Sequence, residues 1–294
     1  MKIYDCITYF NEKALFGLRL NILNNFIHRF IIVEATYTHS GKPKKLNFNI
    51  NNYQKFKDRI IYVVLNDLPN NIKYPLDSNK RFNSIQRIAH QRNKILDSIK
   101  DANDDDIVIY SDSDEIPNLN NLNFKEINEK FIIFKQKLFY YKLNLELKLM
   151  PWYGSRACKK KYLNNINYLR NLKPKKYSWW RFDTLIRKNK ERNVKIINNG
   201  GWHFSQIMNS KQIQTKFLND EHHDEYELNK LSDKKIKDML RNKYIIYNHL
   251  ADKKELNQKW NNKIKLTLVN LNILPAYIKN NVKKYKKLIA KKFN

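Results

Sequence analysis

Glycine and cysteine are scarce in this chain. Only five of its 294 residues are glycine, and they form neither a G-x-G-x-x-G pattern nor a P-loop. Since those patterns let the backbone cradle phosphates, their absence argues against nicotinamide-dependent enzymes and P-loop kinases. The two cysteines, Cys6 and Cys158, are far apart, which gives neither a disulfide framework nor a zinc-ligand spacing. A reduced compartment is therefore expected.

Long apolar runs are also lacking. No stretch of about 18 apolar residues occurs, so no membrane-spanning helix is predicted. Residues 1–6 have no extended apolar core and do not indicate a signal peptide. We therefore expect a cytoplasmic protein, with peripheral attachment as its only form of membrane contact.

Acidic residues are few relative to basic ones. Lys and Arg number 57 against 28 Asp and Glu, which gives a formal net charge of +29. Such an excess favours an anionic partner: nucleic acid, nucleotide, anionic lipid or polyanionic glycan. A composition rich in Asn, Ile, Lys and Tyr is the alternative explanation, and it weakens the indication of nucleic acid.

Strand and helix patterns alternate through the first half of the chain. Apolar, β-branched runs predict strands at residues 3–10, 30–36, 59–65 and 107–110. Helical spacing predicts one helix after Glu12, with Arg19 off its packed face, and another over residues 84–99, with Ile85 packed inward. This order predicts an α/β fold with a mostly parallel, layered sheet.

The second half is less regular. Residues 131–134 and 138–145 are predicted to be separate strands, and residues 150–155 and 177–181 to be aromatic loops. Aromatic loops stack on flat or amphipathic ligands, unless their rings belong to the core. Residues 277–293 have the spacing of a basic amphipathic helix. Such a helix lies on an anionic membrane or packs its apolar face on the domain.

Acidic residues cluster directly after the fourth predicted strand. Asp112 and Asp114 are two apart, so in extended backbone they point the same way and share one divalent cation. Ligands of open α/β sheets bind at this end of the strands. An acidic turn is the alternative. Glu34 and Asp67 end two other strands, so we expect an acidic edge of the sheet.

Two later segments carry histidines in settings that suggest function. Gly200 and Gly201 allow a sharp turn or a close approach to a ligand, and His203 follows them. His203 would bind metal or carry a proton, or else be structural. Residues 220–225 mix acids and imidazoles, which suits a second metal, a catalytic base, an acceptor site or a solvated loop.

These motifs occur in a characteristic order. They lie at residues 3–6, 10–12, 33–36, 40–43, 91–93, 105–117 and 200–205. As an ordered set they resemble glycosyltransferase family 17, from residue 3 to about residue 226. The resemblance implies a GT-A-type, Rossmann-like mixed sheet flanked by helices, forming a domain over residues 1–226. A helical, basic extension over residues 227–294 would pack on that domain.

The resemblance also implies an activity. It is the metal-dependent, inverting transfer of a sugar, GlcNAc by preference, from a UDP-sugar to a hydroxyl of a glycan or glycolipid. Mn²⁺ or Mg²⁺ suits carboxylate ligands, and an inverting transfer needs a base near the acceptor. The expected metal ligands are Asp112, Asp114 and His203. The expected donor contacts are Glu34, Arg92, Asp112 and Trp202. The expected bases are Glu115, Glu221 and Asp224.

Two other classes of function fit part of the pattern. A metal-dependent nucleic-acid enzyme would explain the net charge and the clustered carboxylates. A non-catalytic sugar-binding protein on the same fold would retain the motifs without turnover. The ordered motifs favour the transferase, and no specific nucleic-acid partner is expected.

Overall fold

The computed structural model describes residues 1–174, 191–250 and 259–291. These ranges contain thirteen strands: β1 (Ile3–Thr8), β2 (Arg29–Ala35), β3 (Ile60–Leu65), β4 (Ile107–Ser111), β5 (Glu115–Pro117), β6 (Phe131–Tyr140), β7 (Leu145–Glu146), β8 (Trp152–Lys159), β9 (Val194–Ile197), β10 (Gly201–Ser205), β11 (Tyr244–Ile245), β12 (Ile264–Lys265) and β13 (Thr267–Leu268). They also contain eight α-helices: α1 (Lys13–Leu23), α2 (Lys80–Asn93), α3 (Ile166–Arg170), α4 (Ser210–Asn219), α5 (His223–Leu228), α6 (Asp233–Asn242), α7 (Ala276–Asn280) and α8 (Val282–Tyr285). None of the helices in these ranges is long and apolar enough to cross a bilayer.

Eleven of the strands form one mixed sheet. Its parallel part has the order β3-β2-β1-β4, and β8 and then β6 continue it with antiparallel pairing. Strand β10 runs parallel to β6 and antiparallel to β5. The expected α/β fold with a mixed sheet flanked by helices is confirmed.

Successive residues of the central strands face opposite layers. Ile107 and Ile109 of β4 lie in one apolar cluster, whereas Val108 and Tyr110 lie in the other. Side chains alternate along a strand, so both faces of β4 need apolar residues when helices cover both. This is why the four parallel strands are recognisable in the sequence as nearly unbroken apolar runs.

A third apolar cluster joins residues on both sides of position 226. It contains Leu138 and Tyr140 of β6 together with Ile213, Met239 and Trp260. The segment after residue 226 is helical with short strands, and it packs against β6 and β7.

Two side chains of the first helices do not lie where the sequence pattern predicted. Arg19 is fully buried, because its charge is paired with that of Asp5 on β1. Ile85 is 43% exposed, while Arg87 and Gln91 of the same helix turn inward. The sequence pattern predicted burial for apolar side chains and exposure for polar ones. In the structure, hydrogen bonds and an ion pair hold polar side chains in the interior instead. Gln91, for example, donates to the Val33 carbonyl.

The second half also differs from the prediction. A single ten-residue strand, β6, replaces the separate strand predicted at residues 131–134, and it is followed by the short β7. The prediction was wrong because Lys135 and Lys137 interrupt the apolar run, although both lie on the more exposed side of the strand. Residues 152–155 belong to β8 and not to a loop. The predicted aromatic loop at residues 177–181, with Trp179 and Trp180, lies outside the described residues.

The basic tail is divided into α7, α8 and a 3₁₀ turn, Lys286–Leu288. Ile278 and Tyr285 are buried in the apolar cluster that contains α1 residues. The apolar face of the tail is therefore packed on the domain and not available for insertion into a bilayer. Its lysines remain exposed: Lys279, Lys283, Lys284, Lys286 and Lys287.

Candidate active site

A cavity of about 310 Å³ opens where β1, β2 and β4 end. On one side it is lined by residues that follow these strands, including Tyr9, His39 and Asp112. On the other side it is lined by residues from the later part of the chain, including His203, Lys216 and Tyr247. The two informative motifs of the sequence therefore meet in one cavity, at the expected edge of the sheet.

The meeting of these motifs follows from strand pairing. In the antiparallel pair of β5 and β10, His203 lies opposite Glu115, and the Phe204 amide donates to the Asp114 carbonyl over 2.8 Å. Gly201 permits this approach, because it has a φ of +127° and a Cβ there would lie 2.2 Å from the Ile116 carbonyl oxygen. The glycine pair thus brings two strands together rather than a ligand.

Asp114 lies between two nitrogen groups. Its Oδ1 is 3.3 Å from His203 Nε2, and its Oδ2 is 3.1 Å from Lys216 Nζ. Burial raises the pKa of Asp114, but Lys216 and His203 outweigh that effect and hold the pKa below its ordinary value. Asp114 is therefore charged at neutral pH. Lys216 also lies 3.7 Å from Glu12, a second carboxylate that lines the cavity.

Asp112 is held by two arginines. Its Oδ1 is 3.4 Å from Arg92 Nη2 and 3.1 Å from the Tyr110 hydroxyl, and its Oδ2 accepts from Arg170. Burial raises the pKa of Asp112, yet Arg170 and Arg92 together lower it well below its ordinary value. Arg92 and Asp112 both line the cavity, so the predicted donor contacts at these positions face the open space.

A buried arginine supports the loop that carries both aspartates. Arg19 Nη2 donates to Ser111 Oγ over 2.9 Å, and Arg19 Nη1 donates to the Glu115 carbonyl. Its Nε donates to Asp5 Oδ2 over 2.6 Å. Because Ser111 and Glu115 flank the loop, Arg19 fixes both of its ends. The sequence pattern gave no sign of this role, since it placed Arg19 off the packed face.

Of the three expected metal ligands, Asp114 and His203 lie beside each other in the cavity. Among the described residues, no three His, Cys, Asp or Glu side chains surround a common point. Protein sites for Mg²⁺ commonly combine one or two carboxylates with phosphate oxygens of the substrate, so a converging pair is sufficient there. Asp112 faces arginines instead, and a metal contact by Asp112 finds no support in this arrangement.

Two of the four expected donor contacts, Glu34 and Trp202, lie away from the cavity lining. Glu34 is fully buried, and its carboxylate accepts from the Phe48 amide and the Tyr62 hydroxyl. Trp202 is packed in the core, where its indole N–H donates to the Ile273 carbonyl over 2.7 Å. Neither placement supports a contact with a nucleotide.

The expected bases are separated by the fold. Glu115 is fully buried, and its Oε1 accepts from Trp152 and Arg170. Asp224 does not line the cavity, whereas Glu221 does. Asp220, which belongs to the same mixed segment, also lines the cavity but was not singled out from the sequence.

The family model of glycosyltransferase family 17 matches residues 1–292. The chain belongs to glycosyltransferase family 17. This confirms the expected family and makes the chain a transferase, with a nucleotide sugar as donor and a glycan as acceptor. No curated protein matches the chain significantly.

Several solved structures are distantly similar to this family 17 glycosyltransferase. HddC from Yersinia pseudotuberculosis is 10% identical over 67% of this chain and 90% of its own, with a TM-score of 0.33. A glycosyltransferase involved in glycosylation of the major capsid of PBCV-1 is 11% identical over 67% of this chain and 82% of its own, with a TM-score of 0.29. The inositol-1-phosphate CTP transferase from T. maritima is 13% identical over 81% of this chain and 96% of its own, with a TM-score of 0.32.

Proposed function

We propose that this family 17 transferase moves GlcNAc from UDP-GlcNAc to a glycan hydroxyl, with inversion and with Mn²⁺ or Mg²⁺. The observation that carries the proposal is the Asp114–His203 pair in the cavity, beside Lys216. When bound, the ion would supply positive charge to the departing diphosphate. Lys216 and Arg92 would bind and orient the same phosphates, since both are cations of the cavity lining.

The nucleoside end of the donor fits the side formed by the first two strands. Thr8, Tyr9, Tyr37 and His39 line the cavity there. Burial lowers the pKa of His39, so the imidazole is neutral and suited to hydrogen bonding with a base. This placement supports a nucleotide lying across the ends of β1 and β2.

We assign the base to Asp220. Glu221 also faces the cavity, but its Oε1 is occupied by an ion pair with Arg81 at 2.8 Å. Asp220 Oδ1 accepts a local hydrogen bond from the Glu221 amide and forms no ion pair with an arginine or lysine in the described residues. The acceptor hydroxyl would give its proton to Asp220 as its oxygen bonds to the anomeric carbon. The bond from that carbon to the diphosphate oxygen breaks, and UDP leaves with the electron pair.

Thermal unfolding with a panel of nucleotide sugars, each with and without Mn²⁺, tests the proposal. A ligand present at about 100 times its Kd adds roughly 2.7 kcal/mol of stability. We expect a Mn²⁺-dependent rise in Tm with UDP-GlcNAc. A rise in Tm with a GDP-sugar only would contradict the proposal that UDP-GlcNAc is the donor. No rise with any nucleotide sugar, together with salt-sensitive RNA binding, would favour a nucleic-acid enzyme.

We also propose peripheral contact with an anionic membrane through the exposed lysines of the tail. Residues 259–291 contain no Asp or Glu, and the apolar side of the tail is buried. Attachment would therefore be electrostatic, at about 1 kcal/mol per lysine, and weakened by salt. Replacing Lys279, Lys283, Lys284, Lys286 and Lys287 by Gln should abolish flotation with phosphatidylserine vesicles. Unchanged flotation would rule out the contact.

A further inference from the structure

Lys216 contacts carboxylates that follow two different strands. Its Nζ lies 3.1 Å from Asp114 Oδ2, after β4, and 3.7 Å from Glu12 Oε1, between β1 and α1. Strands β1 and β4 are parallel neighbours, so the residues that follow them come together at one edge of the sheet. One cation position therefore lies between two carboxylates that are far apart in the sequence.

The Glu12 carboxylate is fixed by the turn that precedes it. Its Oε2 accepts from the Asn11 amide over 3.0 Å and from the Phe10 amide over 3.3 Å. Glu12 is only 5% exposed and lines the cavity. Because the backbone holds Oε2, the other oxygen of the carboxylate, Oε1, is left to face Lys216. Glu12 is therefore a fixed part of the cavity wall and not a mobile surface acid.

The carboxylates around Lys216 exceed the positive charge that they share. Burial lowers the pKa of Lys216, but Asp114, Glu12 and Asp220, in that order of strength, outweigh burial and hold the pKa above its ordinary value. Within the described part of the chain, none of these three acids is paired with another lysine or arginine. Three carboxylates against one ammonium leave two formal negative charges, which one divalent cation would neutralise.

His203 brings an unsatisfied nitrogen to the same position. Its Nε2 lies 3.3 Å from Asp114 Oδ1, whereas its Nδ1 is buried and has no hydrogen-bond partner in residues 1–174, 191–250 and 259–291. The whole residue is 8% exposed and lines the cavity. Since buried polar atoms are normally satisfied, this nitrogen indicates that a further polar group binds beside Asp114.

We propose that Glu12 and Asp114 are the two carboxylates of the metal site and that Lys216 Nζ holds the position of the ion until the donor binds. The inference rests on the proposed metal-dependent transfer and adds a ligand that is not among the three expected ones. Mg²⁺ and Mn²⁺ prefer oxygen ligands, and two carboxylates completed by substrate phosphates are sufficient for Mg²⁺. The diphosphate would attract Lys216 away from both carboxylates and so free them for the ion. Mn²⁺ and the nucleotide should therefore each strengthen the binding of the other.

The test measures Mn²⁺ binding to purified full-length protein from the loss of the EPR signal of free Mn²⁺, with and without UDP. The variants are Lys216→Met, Glu12→Gln and the double variant. Gln removes the charge of Glu12 but keeps an oxygen that can accept from the backbone amides. Asp77→Asn, at a side chain that is 97% exposed and outside the cavity lining, is the control. Thermal unfolding without ligand verifies that each variant is folded.

We expect UDP to increase the Mn²⁺ affinity of the wild type and of Asp77→Asn equally. Without UDP, Lys216→Met should bind Mn²⁺ about tenfold more tightly than the wild type, because the competing cation is gone. Its Mn²⁺ affinity should also depend less on UDP. Glu12→Gln should weaken Mn²⁺ binding in the presence of UDP by about tenfold to a hundredfold. The double variant should lose the gain seen in Lys216→Met.

Two results would overturn the inference. An unchanged Mn²⁺ affinity in folded Lys216→Met would show that the ammonium does not hold the position of the ion. Equal Mn²⁺ affinities of the wild type and folded Glu12→Gln would exclude Glu12 as a ligand. Failure of the proposed function is distinguishable, because the wild type would then give neither transfer from UDP-GlcNAc nor a rise in Tm with it, whatever the Mn²⁺ affinities of the variants.

Discussion

Arg19 and Asp5 form a buried ion pair below the loop that carries Asp112 and Asp114, with side chains 0% and 1% exposed. Arg19→Met would leave the Asp5 charge buried without its partner. Breaking one side of such a pair costs about 3–5 kcal/mol. We expect a loss of that size in the free energy of unfolding, measured by urea denaturation.

The double variant Asp5→Leu, Arg19→Met separates stability from positioning. Replacing both charges by apolar groups is often close to neutral, so the double variant should regain much of the lost stability. It should still bind UDP-GlcNAc weakly, because Ser111 and the Glu115 carbonyl have lost their donor. A double variant with normal donor affinity would show that Arg19 serves stability alone.

Lys216 provides a second prediction. Its Nζ lies 3.1 Å from Asp114, at the place proposed for the diphosphate. Hydrogen bonds to charged groups contribute about 1.5–3 kcal/mol, so Lys216→Met should weaken UDP-GlcNAc binding by roughly tenfold to a hundredfold. Mn²⁺ binding should not weaken, because a cation that competes for Asp114 has been removed.

Lys211→Met is the matched control for this change. Lys211 is exposed on the same helix and does not line the cavity. Titration calorimetry of both variants gives the two affinities. A parallel loss of Mn²⁺ and donor affinity in Lys216→Met would mean that the substitution disturbs Asp114 and not the phosphate site.

The assignment of the base makes a third prediction. Removal of a general base typically costs about 10²–10⁴ in rate, so Asp220→Asn should lower kcat by that factor. Donor affinity should change far less than kcat, because Asp220 would contact the acceptor and acts on Lys216 only through its charge. Glu221→Gln should have the smaller effect on kcat. The reverse order in steady-state kinetics would assign the base to Glu221.

The sheet and the position of Asp114 at its edge were predictable because their signals are local. Four apolar runs predicted the parallel strands, and acids after β4 predicted Asp114 at the sheet edge. For Trp202, this local reasoning gave a wrong position. Its motif placed it beside His203, but neighbouring residues of a strand point to opposite faces, so a cavity-facing His203 puts Trp202 in the core.

Lys216 and Tyr247 could not be found in the same way. Their positions depend on how the segment after β10 packs against β6, which no local pattern records. Lys216 also has nothing that marks it among 57 basic residues. Arg19 was misplaced for a related reason, because its polarity predicts exposure unless its buried partner on β1 is known.

The most direct measurement is the affinity of UDP-GlcNAc, by titration calorimetry in the presence of Mn²⁺, for wild type, Asp114→Asn and Asp224→Asn. Asp114 belongs to the pair proposed to hold the metal, and Asp224 lies outside the cavity lining. We predict that the wild type and Asp224→Asn bind with equal, Mn²⁺-dependent affinity and that Asp114→Asn loses the Mn²⁺-dependent part. Equal Mn²⁺-dependent binding by Asp114→Asn would contradict the account.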